Sequence, residues 1–346
     1  MARPTPSADL PWGESLLSRI AAVILAGGLG RRMDPLTRDR PKPLLPVGPW
    51  TLVEHQIAAL SRAGVERVVL STGYRHADFA ELVASVRARG VDLTTVVEDS
   101  PLGTGGGLRE ALRHLTDAEV VLVLNGDLLS GHDLSVQVAL LRAAAPAVLG
   151  AVHVREVPDA RPYGSVLTDD EGRITAFVEK SPEPPSRTVN AGTYVVRPEV
   201  LADLGTGPVS LERQVFPRLA DRGALLAHRE EAYFLDVGSP AALVTATRDL
   251  LLSPWPGAAE TPTGPALVLP GAEVHPTAEL RGGTVVHPGA VIGARALLDS
   301  AVVLPGARIG EGAVVRRSVV GRRATVRAGC RTEDDALGTG DHRPST

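Results

Sequence analysis

The chain has 346 residues, enough for two domains, and its 44% hydrophobic and 22% charged residues are the ordinary balance of a globular protein. A formal net charge of −4 and 3% aromatic residues leave neither a basic footprint nor a stacking platform for nucleic acid. The single cysteine, Cys330, excludes an internal disulfide framework and a cysteine-built zinc site, and no apolar run approaches the roughly 20 residues of a membrane helix.

Residues 1–19, with three prolines among the first eleven, predict a flexible extension without a signal-peptide layout, and hence a cytoplasmic protein. Ile20 to Leu25 (IAAVIL) is short, apolar and rich in branched residues, the pattern of a buried parallel strand. It runs into LAGGLGRRMDPLTRDRPKPLLPV, residues 25–47. Here Leu25 and Ala26 lead to Gly27, Gly28 and Gly30, whose backbone is free to turn sharply and offer N–H groups to phosphate oxygens. Arg31 and Arg32 add positive charge, and Pro41 and Pro43 hold Lys42 in a restricted segment. The string is neither a P-loop nor a G-x-G-x-x-G dinucleotide fingerprint.

Further along, helical periods over 52–63, 77–89 and 108–115 alternate with apolar strands over 65–70, 93–98 and 120–124. Such alternation predicts an α/β fold, a mostly parallel sheet with helices on both faces. Ligands of such sheets sit beyond the carboxyl ends of the strands, where both Gly27–Gly28 and Asn125–Gly126–Asp127 fall. Asp127 there suits a hard divalent cation, although Asn-Gly-Asp is equally good turn chemistry. The later segment Phe234–Pro240 ends another strand with Asp236. Taken alone, Glu179–Lys180 is also compatible with an exposed charge pair, and Ser239–Pro240 with a helix cap.

A proline- and glycine-rich linker spans 253–265. Beyond it Ile292, Leu298, Leu304, Ile309, Val315, Val320 and Val326 recur about every six positions, with two slips to five. That period predicts a hexapeptide β-helix of three or four coils over 266–331, a small β-sandwich being the alternative. Residues 332–346 read as a disordered tail.

The string from Leu25 to Val47, followed by EDSPLGTGG from Glu98, resembles the signature of the sugar-1-phosphate nucleotidyltransferases. Its form is most similar to mannose-1-phosphate guanylyltransferases. The resemblance implies a Rossmann-like nucleotidyltransferase domain over 20–252 and a left-handed β-helix behind it. It implies nucleotidyl transfer from an NTP, GTP favoured, to a sugar-1-phosphate with Mg²⁺, and a homo-oligomer. Leu25, Ala26, Gly27, Gly28, Gly30, Arg32, Glu98, Pro101, Gly103, Thr104 and Gly126 fall at its nucleotide-binding positions. Tyr163, Gly164, Glu179, Lys180, Asn190 and Gly192 fall at its sugar-phosphate positions. Arg32, Lys42, Asp127 and Lys180 are the implied catalytic groups, and Asp127 and Asp236 the implied metal ligands. Arg31, Asp34, Gly105, Ser181 and Phe234 depart from the commoner family residues. Use of UTP, dTTP or ATP with glucose-1-phosphate or an unusual sugar or cyclitol phosphate stays open, as does a regulatory homologue without activity. Against the last, Arg32, Lys42, Asp127, Lys180 and Asp236 are all present.

Overall fold

A computed structural model describes residues 19–202 and 205–343, so the expected N-terminal extension lies outside the described residues but for Arg19. By its contacts the chain forms two units. The first comprises the described parts of Met1–Gly28, Ile57–Gly126 and His132–Ala232; the second, those of Leu29–Gln56, Asp127–Gly131 and Tyr233–Thr346.

The first unit is built on a nine-stranded sheet. Strand Ile20–Ala26 lies between Arg67–Thr72 and Val120–Asn125, parallel to both, with Ala22 opposite Val68 and Leu122. Asp92–Val97 continues the parallel order outside Arg67–Thr72. The unbroken apolar runs follow from this position: Ala21–Ile24 and Val120–Val123 are completely buried, because both faces of the central strands are covered. Past Val120–Asn125 the sheet is mixed, with Leu225–Arg229 parallel to Gly150–Glu156 and the other pairings antiparallel. Thr188–Val196 pairs with Val120–Asn125 on one side and Gly150–Glu156 on the other. Gly164–Thr168 and Ile174–Glu179 form a hairpin that sets Gly164 opposite Glu179.

The second unit contains the signature loop, a two-stranded ribbon of Leu128–Ser130 with Phe234–Asp236, the helix Pro240–Leu252, and three parallel sheets of five, five and four short strands. These sheets are the sides of a parallel β-helix. Residues in register lie 18 positions apart across the first coil, as in Ala266 and Thr284, and 17 apart thereafter, as in the row Val285, Val302, Val319, Ala336. A coil of two six-residue sides and one of five explains the slips in the sequence period. Each buried Val or Leu of such a row contributes about 1.5–3 kcal/mol relative to exposure.

Two expectations are corrected here. The β-helix extends past 331, with strands at Arg331–Glu333, Ala336–Leu337 and His342–Arg343, and it runs beyond four coils. The tail therefore continues the β-helix as far as Arg343. Its acidic run reads as disordered in the sequence but is a paired corner: the Arg317 guanidinium lies 2.7 Å from both Glu333 and Asp334. Leu337 meanwhile extends the buried row of Val303 and Val320.

Met33, Leu36 and Leu45 of the signature region share one core with Leu243 and Leu250 of the long helix and with Val302, Leu304 and Val319 of the β-helix. That packing is why the signature loop groups with the β-helix. At the same contact a Cβ on Gly338 would lie 2.9 Å from Pro35 Cβ and 3.0 Å from Asp341 Oδ2. Gly338 has no positive φ, so close approach, and not backbone conformation, excludes a side chain there.

Candidate functional site

In the second unit the cationic side chains of the signature meet the two carboxylates expected to bind metal. Gly30 adopts a left-handed conformation (φ 63°) and starts a single 3₁₀ turn, Arg31–Met33, closed by Met33 N–H donating to the Gly30 carbonyl. The turn leaves Arg32 exposed, its guanidinium 3.7 Å from Asp236. Pro41, at φ −56°, leads into a second 3₁₀ turn that begins at Lys42. The Lys42 side chain is almost fully buried, and its Nζ donates to Asp127 Oδ2 at 2.8 Å and lies 3.9 Å from Asp236 Oδ1. The ribbon fixes the two aspartates as neighbours: Asp236 pairs with Leu128, and Val237 N–H donates to the Asp127 carbonyl. Gln56 braces the ribbon by donating to the Leu128 carbonyl. Asp34 is turned to Arg38, 3.7 Å away, and accepts a hydrogen bond from Thr37. Ser239 caps the following helix through Ala242 N–H, with Pro240 at its first position.

Two carboxylates converging on one ammonium are hard oxygen donors held on a short, braced ribbon. They suit a divalent cation that takes one or two protein carboxylates and completes its shell with phosphate and water. Among the described residues no group of three or more His, Cys, Asp or Glu side chains is arranged as a closed metal cage.

The first unit gathers the other expected residues. Glu98 is committed to the protein. Its Oε1 accepts from Ser71 and its Oε2 from Leu102 N–H, and Cβ atoms on Gly27 or Gly107 would come within 2.9 and 2.8 Å of it. The geometry thus makes Glu98 a post on which the glycine turn and the 101–107 loop are shaped. That loop is held from behind by Val209, whose carbonyl accepts the N–H groups of Gly105 and Gly106. Thr104 donates to Glu212 at 2.6 Å and accepts from Leu211 N–H.

On the antiparallel side Lys180 N–H donates to the Tyr163 carbonyl. Lys180 takes a positive φ of 44°, uncommon for a residue with a side chain, and its half-exposed ammonium lies 3.7 Å from Glu179 Oε1. Burial raises the Glu179 carboxyl above the usual range; Lys180 opposes this and Glu212 adds to it. Asn190 accepts from Gly192 N–H and donates to the Tyr194 hydroxyl, which donates to Glu212. Tyr194 and Glu212 are absent from the expectations drawn from sequence. The first lies within an apolar strand pattern, and the second is a lone acid in SLERQ with no motif around it.

Residues 21–253 match the family described as Nucleotidyl transferase. The chain belongs to that family. Residues 262–341 of this nucleotidyl transferase match the region described as GMPPB C-terminal domain. The chain is 38% identical over 280 residues to a mannose-1-phosphate guanylyltransferase of Mycobacterium tuberculosis, covering 80% of this chain and 77% of that protein. It is 32% identical to a probable mannose-1-phosphate guanylyltransferase 1 of rice, Oryza sativa subsp. japonica, covering 77% of this chain and 74% of that protein. The crystal structure of HddC from Yersinia pseudotuberculosis complexed with GMP-PN is 27% identical, with a TM-score of 0.56 over 65% of this chain and 97% of that one.

Proposed function

We propose that this nucleotidyl transferase converts GTP and mannose-1-phosphate into GDP-mannose and pyrophosphate, with Mg²⁺ as cofactor. A phosphate oxygen of the sugar phosphate attacks the α-phosphorus of GTP, the bond to the β-phosphate oxygen breaks, and pyrophosphate leaves with that oxygen. The nucleophile is already anionic, so catalysis rests on placing the two substrates and offsetting their charge. Lys180 holds the phosphate of the sugar, and Glu179 and Asn190 offer it hydrogen-bonding groups. Arg32 and Lys42 offset the charge of the triphosphate. The glycine turn at Gly27–Gly28 and the loop from Pro101 to Thr104 take the nucleoside. Asp127 and Asp236 hold the metal ion, which supplies Lewis-acid polarisation of the phosphate oxygens when bound.

The observation that carries this reading is the placement of Lys42 between Asp127 and Asp236, 2.8 and 3.9 Å away. A cation and two hard donors at one point match the needs of a metal-bound triphosphate. The guanine and mannose specificity rests on likeness to the Mycobacterium tuberculosis and rice proteins and on the HddC complex. No described helix is long and apolar enough to cross a membrane, in keeping with a cytoplasmic enzyme. The test is pyrophosphate release by the purified protein with GTP and mannose-1-phosphate, in the presence of Mg²⁺ and after its removal by EDTA. Release that needs both substrates and the metal is expected; release unaffected by EDTA contradicts the cofactor assignment.

A further inference from the structure

The hydrogen bonds around Tyr194 run in one direction. A phenol carries one proton, and a carboxylate accepts hydrogen bonds without donating any. Tyr194 OH lies 3.0 Å from Glu212 Oε1, 2.9 Å from Asn190 Nδ2 and 3.4 Å from Asn125 Nδ2. The amides are donors, so the single phenolic proton goes to Glu212. With Tyr194 accepting, Asn190 must turn its Nδ2 towards the phenol and its Oδ1 towards Gly192 N–H, which donates to it at 2.8 Å. Tyr194 is completely buried, and its ring packs edge-on against Phe216 at a centroid distance of 4.7 Å. The carboxylate has no proton to give, so the order cannot be reversed.

The other oxygen of Glu212 serves a second arm. Oε2 accepts from Thr104 Oγ1 at 2.6 Å and from Ser210 Oγ at 2.9 Å. Thr104 Oγ1 in turn accepts from Leu211 N–H, which ties the start of the helix Gly103–Leu112 to the 209–212 segment. One carboxylate thus holds the loop expected to take the nucleoside and, through Tyr194, the asparagine expected to meet the sugar. We propose that Glu212 is a positioning residue for both substrates, orienting the Asn190 amide through Tyr194 and pinning the 101–107 loop through Thr104. Its remaining role is electrostatic: it raises the affinity of the neighbouring Glu179 for its proton. Nucleoside and sugar phosphate are then set by separate oxygens of one side chain.

This inference rests on the proposed sugar role of Asn190, so the experiment separates the two. KM and kcat for GTP and for mannose-1-phosphate are measured in Asn190→Ala, Tyr194→Phe, Thr104→Val and Glu212→Ala, each with its Tm. Asn190→Ala tests the sugar reading, and an unchanged sugar KM overturns both that reading and this one. Given a raised KM there, Tyr194→Phe is expected to raise the sugar KM about tenfold while leaving the GTP KM and kcat within about threefold. Thr104→Val should do the reverse, raising the GTP KM alone. Glu212→Ala should raise both, and adding Tyr194→Phe to it should raise the sugar KM no further. A Tyr194→Phe enzyme with an unchanged sugar KM, or with both KM values raised equally, overturns the inference. If Glu212→Ala does not fold, the split between the other two variants still decides the matter.

Discussion

Lys42 and Asp127 form a 2.8 Å ion pair across 85 residues of sequence, with the lysine almost fully buried and the aspartate partly open. The ribbon that pairs Asp236 with Leu128 brings the second carboxylate to the same ammonium. Lys42→Met leaves two neighbouring carboxylates without their shared cation. We expect this to lower kcat at least 100-fold and to destabilise the protein by about 2 kcal/mol, less than a fully buried pair because Asp127 is partly exposed. Single-turnover kinetics and urea titration check the two effects separately.

Asp127→Asn keeps the shape of the side chain and removes half the formal charge of the carboxylate pair. Turnover should fall by about 100-fold or more, with the fold intact by circular dichroism, and added Mg²⁺ should recover part of it by mass action. Activity near that of the parent protein at ordinary Mg²⁺ would count against Asp127 as a metal ligand. Asp236→Asn should behave alike.

Gly338 is predicted to be intolerant of a side chain. Gly338→Val drives its Cβ into Pro35, at the head of the segment that leads to Lys42. Overpacking of this kind costs about 1–3 kcal/mol. Because the displaced atoms belong to the signature loop, the GTP KM should rise as well, whereas Gly312→Val, strained by its φ of 64° but with nothing near its Cβ, should lower stability without changing that KM. Equal KM values in the two variants would show that the contact does not bear on the loop.

Acid should destabilise the fold through buried histidines. His132 and His153 stack with ring centroids 3.9 Å apart, and His287 is buried in the β-helix near Arg40 and Arg322. Burial pushes His153 and His287 down to about 4, and His132 well below the usual range. Unfolded, each takes its proton near pH 6.5. Between the two values the unfolded chain binds more protons, so this stability is complete above about pH 6.5 and is lost as the pH falls towards 4. The urea midpoint should drop between pH 7.5 and 5. His287→Leu, which places the residue of the next coil, Leu304, in this row, should make the drop shallower. An unchanged slope in that variant would remove His287 from the account.

The central strands were legible because burial on both faces leaves a continuous apolar run, as in IAAVIL and VVLVL. The β-helix was legible because its coil repeats in the sequence. Its end was not, since Glu333 and Asp334 look like solvent-seeking residues until Arg317 is seen beside them. Arg32, Lys42, Asp127 and Asp236 stand in recognisable strings, and the structure brings the four together. Glu98 has a role its string does not show: its two oxygens accept from Ser71 and Leu102 and so shape the loop around it. Glu212 left no trace because its partners, Thr104 and Tyr194, lie 108 and 18 residues away, and only folding assembles them.

The most direct measurement is pyrophosphate release by the purified protein with Mg²⁺, across ATP, GTP, UTP, CTP and dTTP, each against mannose-1-phosphate and glucose-1-phosphate. The account predicts strong turnover with GTP and mannose-1-phosphate, GDP-mannose as the product, and loss of that turnover in Asp127→Asn. Binding of GTP without pyrophosphate release from any pair, or full release by the Asp127→Asn protein, would contradict it.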